Sequence, residues 1–460
     1  MGSSWQEVQL QDIVTILGDG LHGTPKYDED GDYYFINGNN LENGRIVFRD
    51  KTKRVAHDQF LKHKKRLSDR TILVSINGTI GNVAYYNDEK VILGKSACYF
   101  NLIDDVEKGF VRYVLSGAIF QNYLNQYATG TTIKNVSLKD MRAFSFQLPP
   151  IEEQKAISHI LGSLDDKIEL NRQMNATLES MAQALFKSWF VDFDPVIDNA
   201  LAAGNPIPEP LHVRAETRKT LGDKRKPLPE AIQQQFPSRF VFSEEMGWIP
   251  EGWKVELLEN LTTKIGSGST PRGGSQVYQD EGTSLIRSQN IYDSSFVWDG
   301  LAHISEEASV QLKGVTVRTN DILLNITGAS ILRTCVVPPE VLPARVNQHV
   351  AIIRAKEFIP PRYLHLHLLQ RKTKDLLRGQ NAGASREAVT KGHIEAVITL
   401  VPSEDLLQRF IVLTDTNFQK KDKLSSEIRV LARLRDTILP KLLSGELRIP
   451  DAEKMLEQAL

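Results

Sequence analysis

A chain that contains itself twice has little freedom of architecture, and self-comparison finds such a repeat here with a period of about 250 residues. Trp5, Leu10 and Ile13 correspond to Trp253, Leu258 and Leu261, and Gly23-Thr24-Pro25 corresponds to Ser269-Thr270-Pro271. Ile36 with Asn39-Asn40 matches Ile286 with Gln289-Asn290, and Ile72-Leu73 followed by Asn77-Gly78 matches Ile322-Leu323 followed by Thr327-Gly328. Arg112-Tyr113 matches Arg362-Tyr363, Gly130 matches Gly383, Leu148-Pro149 matches Val401-Pro402, and Gln154 and Ile157 match Gln408 and Ile411. Ala184-Leu185-Phe186-Lys187 lies opposite Ile438-Leu439-Pro440-Lys441. Each match is weak alone, but their common order implies one plan used twice.

Within each copy the pattern changes character once. The first copy opens with β-like segments, Thr71 to Ile76 and Val91 to Phe100, between Gly and Asn turns, and Val111 to Tyr127 reads as one helix. After the stop at Pro149-Pro150 the spacing turns helical, with Ile157, Leu161, Leu164, Ile168, Leu178, Leu185 and Trp189 in a three-four rhythm that Asn171 and Asn175 interrupt. The second copy repeats it through Leu407, Ile411, Phe418, Ile428, Leu431, Ile438 and Leu442. A lone helix of about 35 to 40 residues is marginal in water, so the two are expected to pack on each other as a coiled coil. Between the copies, Pro195 to Pro250 is rich in proline, carries the basic run Arg214 to Lys226 and lacks periodicity. It reads as a linker or insertion, and the basic run as solvated surface rather than a DNA arm.

Composition bounds the function. With 41% hydrophobic and 25% charged residues the 460-residue chain is neither disordered nor membrane-spanning, and a cytoplasmic protein without a secretory or lipidation signal is expected. Cys98 and Cys335 are too far apart in sequence for a zinc motif and read as reduced core residues. A net charge of −1 argues against a uniformly basic nucleic-acid coat. Charge is nonetheless uneven: Arg45 to Arg70 holds ten Lys or Arg against three Asp, and Arg362 to Arg378 five Lys or Arg against one acid. Either stretch is a phosphate-facing surface or simply a solvated one.

Four segments are the most specific in the chain: Leu148-Pro149-Pro150-Ile151-Glu152-Glu153-Gln154, Leu185-Phe186-Lys187-Ser188-Trp189-Phe190-Val191-Asp192-Phe193, Gly247-Trp248-Ile249-Pro250-Glu251-Gly252-Trp253, and Ile438-Leu439-Pro440-Lys441-Leu442-Leu443-Ser444-Gly445. With the duplicated plan, they make the chain resemble the specificity subunits of type I restriction-modification systems over nearly its whole length. The second helix departs from the family pattern, with Val401-Pro402-Ser403-Glu404 and Leu407-Gln408 in place of Pro-Pro and Glu-Gln. The resemblance implies a mixed α/β protein: two α/β target recognition domains and two long antiparallel helices that separate them. The expected boundaries are 1–150 for the first recognition domain, 151–193 for the central helix, 194–250 for the linker or insertion, 251–402 for the second recognition domain, 403–446 for the C-terminal helix and 447–460 for a tail. It further implies a non-catalytic subunit that reads a bipartite site in double-stranded DNA and docks two methyltransferase subunits, with restriction and translocase subunits joining them. S-adenosylmethionine, ATP and Mg would sit on those partners, and no cofactor on this chain.

Motifs for chemistry fall short. Gly94-Lys95-Ser96 resembles the end of a phosphate-binding loop, but Glu89 stands where its first glycine is required. Gly266-Ser267-Gly268-Ser269-Thr270-Pro271 has no terminal lysine and reads as a turn. Asp194-Pro195-Val196 and Asn205-Pro206-Ile207-Pro208 miss an amino-methyltransferase motif, and His365 and His367 alternate on a helix, so one metal cannot engage both easily.

Base reading needs side chains that pair donors and acceptors with base edges, placed on turns. In the first half these are Thr24, Lys26, Asn37, Asn39, Asn40, Asn77, Thr79, Lys95, Thr131, Thr132 and Lys134. In the second they are Thr270, Arg272, Arg287, Gln289, Asn290, Thr327, Arg333, Asn347, Gln348, Ser385 and Arg386. Any one of them can instead serve its own turn as a cap. Phe186, Trp189 and Phe190 put more aromatic surface on one helix end than a two-helix seam uses, which suggests a docked partner or packing against a recognition domain. Two rival functions are a coiled-coil adaptor with two protein-binding ends and a stand-alone nuclease or methyltransferase.

Overall fold

The computed structural model describes residues 5–42, 44–130, 133–222, 228–379 and 388–459. The chain divides into two compact units, one built from residues up to Arg172 together with those from Ser425 onward, the other from Gln173–Leu424. Both boundaries fall inside long helices, Ile151–Phe190 and Glu404–Leu443, each of 40 residues. Each unit therefore owns a stretch of both helices.

In the first unit a four-stranded antiparallel sheet carries Val14–Asp19, Ala97–Leu102, Thr71–Ser75 and Val83–Tyr85 in that order. A smaller sheet holds Tyr33–Ile36 parallel to Val91–Leu93. Thr71–Ser75 is buried along its whole length, as its continuous apolar run requires. Ile72, Val74 and Phe100 pack toward Phe110, Val111 and Phe120, and the same core takes in Ile157, Leu161, Leu164 and Ile168 of the first long helix with Leu431, Ile438 and Leu442 of the second. The early part of one long helix thus lies with the late part of the other, in an antiparallel sense. The first helix begins at the double proline, where Gln154 is 2% exposed, donates to Pro149 O at 2.7 Å and accepts from Glu107 N at 2.8 Å.

One expectation is corrected here. Val111 to Tyr127 is two helices, Lys108–Ser116 and Ala118–Tyr127, with Gly117 extended between them (φ −74°, ψ 158°). A side chain at Gly117 would meet Leu443 at 3.2 Å, and Gln121 caps the broken end by donating to Leu115 O at 2.9 Å. Close approach of the second long helix and a side-chain cap together favour the break.

The second unit repeats the sheet with Thr262–Ser267, Val350–Ala355, Ile322–Asn325 and Thr334–Val336. The segment read as a linker or insertion, 194–250, is folded into this unit. It forms helices Asp194–Ala203 and His212–Leu221, a short turn of helix at Glu230–Gln233, and a hairpin of Phe240–Ser243 with Gly247–Pro250. Val196, Ile232, Phe236 and Ile249 enter the core around Trp189. The first part of its basic run is tied into the fold on one side: Arg214 grips buried Asp194 with two bonds of 2.7 Å, and Arg218 bonds Asp198 at 3.0 Å, while Lys219 is exposed. Burial opposes the charge of Asp194, but the Arg214 bonds, Ser188 and Arg218 hold its carboxyl below the usual range. No described helix is long and apolar enough to cross a membrane.

Candidate nucleic-acid interface

Antiparallel pairing gathers alternate strand ends on one edge of a sheet. In the first unit that edge holds Asp19 beside Cys98, Ala97 beside Ser75, and Val74 beside Val83. The loops leaving it are pinned to one another. Leu21 N donates to Leu93 O (2.7 Å), Ile76 N to Ser96 O (2.9 Å) and Gly78 N to Lys134 O (2.9 Å), while Asn77 Nδ2 reaches Asn135 Oδ1 (3.1 Å). The parallel pair feeds the same place, since Ser96 Oγ accepts from Gly38 N and donates to Asn37 Oδ1, both at 2.9 Å. A Cβ on Gly20 would lie 2.2 Å from Leu93 O, so this backbone approach admits only glycine.

The second unit builds the same edge from different side chains. Ser269 N donates to Val346 O (3.1 Å) and Ile326 N to His349 O (3.0 Å), and a Cβ on Gly268 would lie 2.1 Å from Val346 O. Gly78 and Gly328 turn their matched loops with φ of +77° and +76°. Where the first edge has Asn77, Thr79 and Lys95, the second has Thr327 with its hydroxyl 2.7 Å from His349 Nδ1, and Thr270 bonded to Gln348. His349, opposite buried Ser96 in the repeat, is absent from the sequence-based set; only its place after Gln348 signals it.

Thr24, Lys26, Asn39, Thr79, Lys95 and Lys134 are exposed, and Asn37 and Asn77 half-buried. The Lys134 ammonium is held by Asn125 Oδ1 at 2.9 Å. In the second unit Thr270, Arg272, Gln289 and Gln348 are exposed, whereas Arg287, Thr327, Arg333 and Asn347 are half-buried. Arg287 and Gln289 both donate to Gly300 O, at 2.6 and 3.1 Å, and Arg333 lies over the Tyr292 ring at 4.2 Å. Thr131, Thr132, Ser385 and Arg386 lie outside the described residues.

Two of these positions are corrected. Asn40 and Asn290 are 6% and 0% exposed and make matching bonds: each accepts from the backbone three residues earlier (Asn37 N and Arg287 N, both 3.0 Å) and donates to Val47 O (3.0 Å) or Val297 O (2.9 Å). They cap turns and face no ligand. The aromatic trio is corrected too. Phe186, Trp189 and Phe190 are 1%, 1% and 5% exposed and pack against Tyr363, Phe410, Phe236 and Trp253 within the second unit, so of the two expected roles it is packing against a recognition domain that their rings fill.

A family model described as the type I restriction modification DNA specificity domain matches residues 2–180. The chain is 24% identical over 455 residues to the type I restriction enzyme MjaIX specificity subunit of Methanocaldococcus jannaschii, covering 97% of this chain and 94% of that one. Residues 2–180 thus carry that specificity domain, and along nearly its whole length the chain is similar to type I specificity subunits. The HindI specificity subunit of Haemophilus influenzae is 29% identical over 346 residues, 69% of this chain and 72% of its own. A crystal structure of the type I restriction-modification S subunit from M. genitalium shares the fold, with a TM-score of 0.54 at 17% identity and 96% of each chain covered. In a specificity subunit the duplicated loop edge takes on meaning, because the frame is common to both units while the side chains it presents differ.

Proposed function

We propose that this chain reads a bipartite, asymmetric DNA site, each unit contacting one half-site through its loop edge. The observation that carries the reading is the edge built twice on one backbone plan with different hydrogen-bonding side chains. Asn37, Asn39 and Lys95 offer adenine- and guanine-type contacts in one unit, and Gln289, Arg272 and Gln348 offer a different set in the other. Two equal readers would demand a palindrome; two unequal ones demand an asymmetric site. The chain carries no chemistry in this reading. Methyltransferase subunits bring S-adenosylmethionine, restriction subunits bring ATP and Mg, and the assembly works in the cytoplasm. Exposed apolar residues on the long helices supply docking area for the methyltransferase: Leu170 and Val430 in the first unit, Met181, Val412 and Leu413 in the second. An adaptor without DNA-reading function would have no need of two unequal loop edges.

Exchanging residues 1–150 for the matching domain of another specificity subunit should change one half-site and leave the other. Methylation mapping on a random-sequence library checks this, and a change in both half-sites would refute independent reading.

A further inference from the structure

Two carboxylates on the first long helix join three bodies apiece. In the first unit Asp165 accepts from Tyr113 Oη at 2.8 Å and from Arg435 Nη1 at 2.7 Å, with Arg112 Nη2 3.0 Å away. Tyr113 and Arg112 belong to helix Lys108–Ser116, on the recognition side, and Arg435 to the second long helix. In the second unit Glu179 accepts from Ser294 Oγ at 2.6 Å and pairs with Lys421, whose Nζ also donates to Ser294 O at 2.6 Å. Ser294 forms the turn between Ile291–Tyr292 and Ser295–Phe296, and Lys421 belongs to the second long helix. The two ties are not copies inherited with the repeat, because Tyr363, the counterpart of Tyr113, donates to Leu400 O instead. Different residues reach the same arrangement of recognition domain, first helix and second helix around one acid.

Both acids are ionised where they sit. Burial opposes this, but Arg435, Arg112 and Tyr113 outweigh it at Asp165, and Lys421, Ser294 and Gln183 do so at Glu179, holding each carboxyl below its usual range. These domains also meet the helices through apolar packing, which has no preferred direction, and through the ion pairs Arg45–Glu169 (3.5 Å) and Arg362–Asp422 (2.9 Å), each of which has one partner more than half exposed. Charge-assisted hydrogen bonds do have a direction, and shielded from water they resist screening by salt. We propose that Asp165 and Glu179 are positioning residues for DNA reading: each fixes the angle of its own recognition domain on the helix pair, and so the half-site separation that domain accepts. The inference rests on the DNA-reading function proposed above.

Two measurements test it separately. In the first, nitroxides at Asp299→Cys and Met181→Cys report the second domain against its helix, and nitroxides at Lys51→Cys and Leu170→Cys report the first; Cys98 and Cys335 are buried and stay unlabelled. Glu179→Gln should broaden the distance distribution of the second pair alone, and Asp165→Asn that of the first alone. Glu179→Gln/Lys421→Met leaves no orphaned charge and should broaden it likewise with the fold intact. Unchanged widths would overturn the proposal whatever the chain binds. In the second, the assembled methyltransferase is mapped on sites whose half-site gap varies. Each variant should keep both half-site sequences while its preference for one gap over gaps one base pair longer or shorter falls about tenfold, the factor that one charge-assisted hydrogen bond carries. A kept gap preference would overturn the proposal, and a changed half-site sequence would too. If the parent complex methylates no bipartite site, the DNA-reading function fails, and the distance widths still decide whether the two acids position the domains.

Discussion

Asn40 and Asn290 show how a residue type that suits base reading can be spent on its own turn. Truncating either to Ala removes a buried acceptor and donor from a closed turn and should cost about 1–3 kcal/mol of stability. Half-site preference in the methylation assay should stay as it was, and Thr79→Ala or Lys95→Ala should give the reverse, an unchanged melting temperature with altered DNA reading. Residue type and turn context made the loop edges legible in the sequence, because Asn77 and Lys95 lie on the edge of the first unit and Thr270 and Gln348 on that of the second. Burial was not legible: Asn39 and Asn40 are neighbours of one type, yet one is exposed and the other capped. The histidines make a second case. Burial depresses His365 and His367 to about 4, with each Nε2 near a backbone carbonyl. Groups that stay neutral in the fold but protonate when unfolded contribute full stability above the unfolded value of about 6.5 and lose it as pH falls. At pH 5 each should cost the second unit about 2 kcal/mol. Hydrogen exchange across Pro361–Leu369 should therefore quicken between pH 6.5 and 5, and His365→Leu/His367→Phe should flatten that response.

At the scale of elements, the three-four rhythm named many of the helix residues that are buried: Ile157, Leu161, Leu164, Ile168, Leu431, Ile438 and Leu442 are at most 2% exposed, whereas Leu178, Leu185, Ile411 and Ile428 are half-buried. Periodicity over many turns is a redundant signal, and a break within it is not. Gly117 splits a helix through contact with Leu443, a residue more than 300 positions away, which no local pattern records. The folded segment 194–250 escaped for a related reason. Its helices have 10, 10 and 4 residues, too short for a rhythm to emerge, and their apolar faces make sense only against Trp189 and Trp253. That packing also decides what the aromatic end of the first long helix does. Trp189→Ala should empty part of the second unit's core at about 3–5 kcal/mol, seen as a lower melting temperature of the free chain. Met181→Ser and Val412→Ser, on exposed faces, should shift stability by no more than about 0.5 kcal/mol. Their effect should appear instead as weaker co-purification of the methyltransferase subunit; retention at the parent level would remove these residues from the docking face.

At the scale of the whole molecule, each long helix passes from one unit to the other, the first between Arg172 and Gln173 and the second between Leu424 and Ser425. Asp165 and the early apolar face stay with the first unit, Glu179 and the aromatic end with the second. Four residues inserted after Arg172 would leave both sets of ties intact, since no tie described above spans the insertion point. One helical turn keeps the apolar face nearly in phase and adds about 6 Å at 1.5 Å per residue. B-DNA rises about 3.4 Å per base pair. If the added turn carries its domain along the DNA, the preferred gap should grow by about one to two base pairs while both half-sites keep their sequence. A smaller change would mean that the unlengthened second helix buckles the insert, and adding four residues after Leu424 as well should then restore the full step. Methylation mapping of the single and double insertions separates these outcomes. A gap that stays fixed in both would show that the spacing is set elsewhere, by the methyltransferase subunits or by the DNA itself.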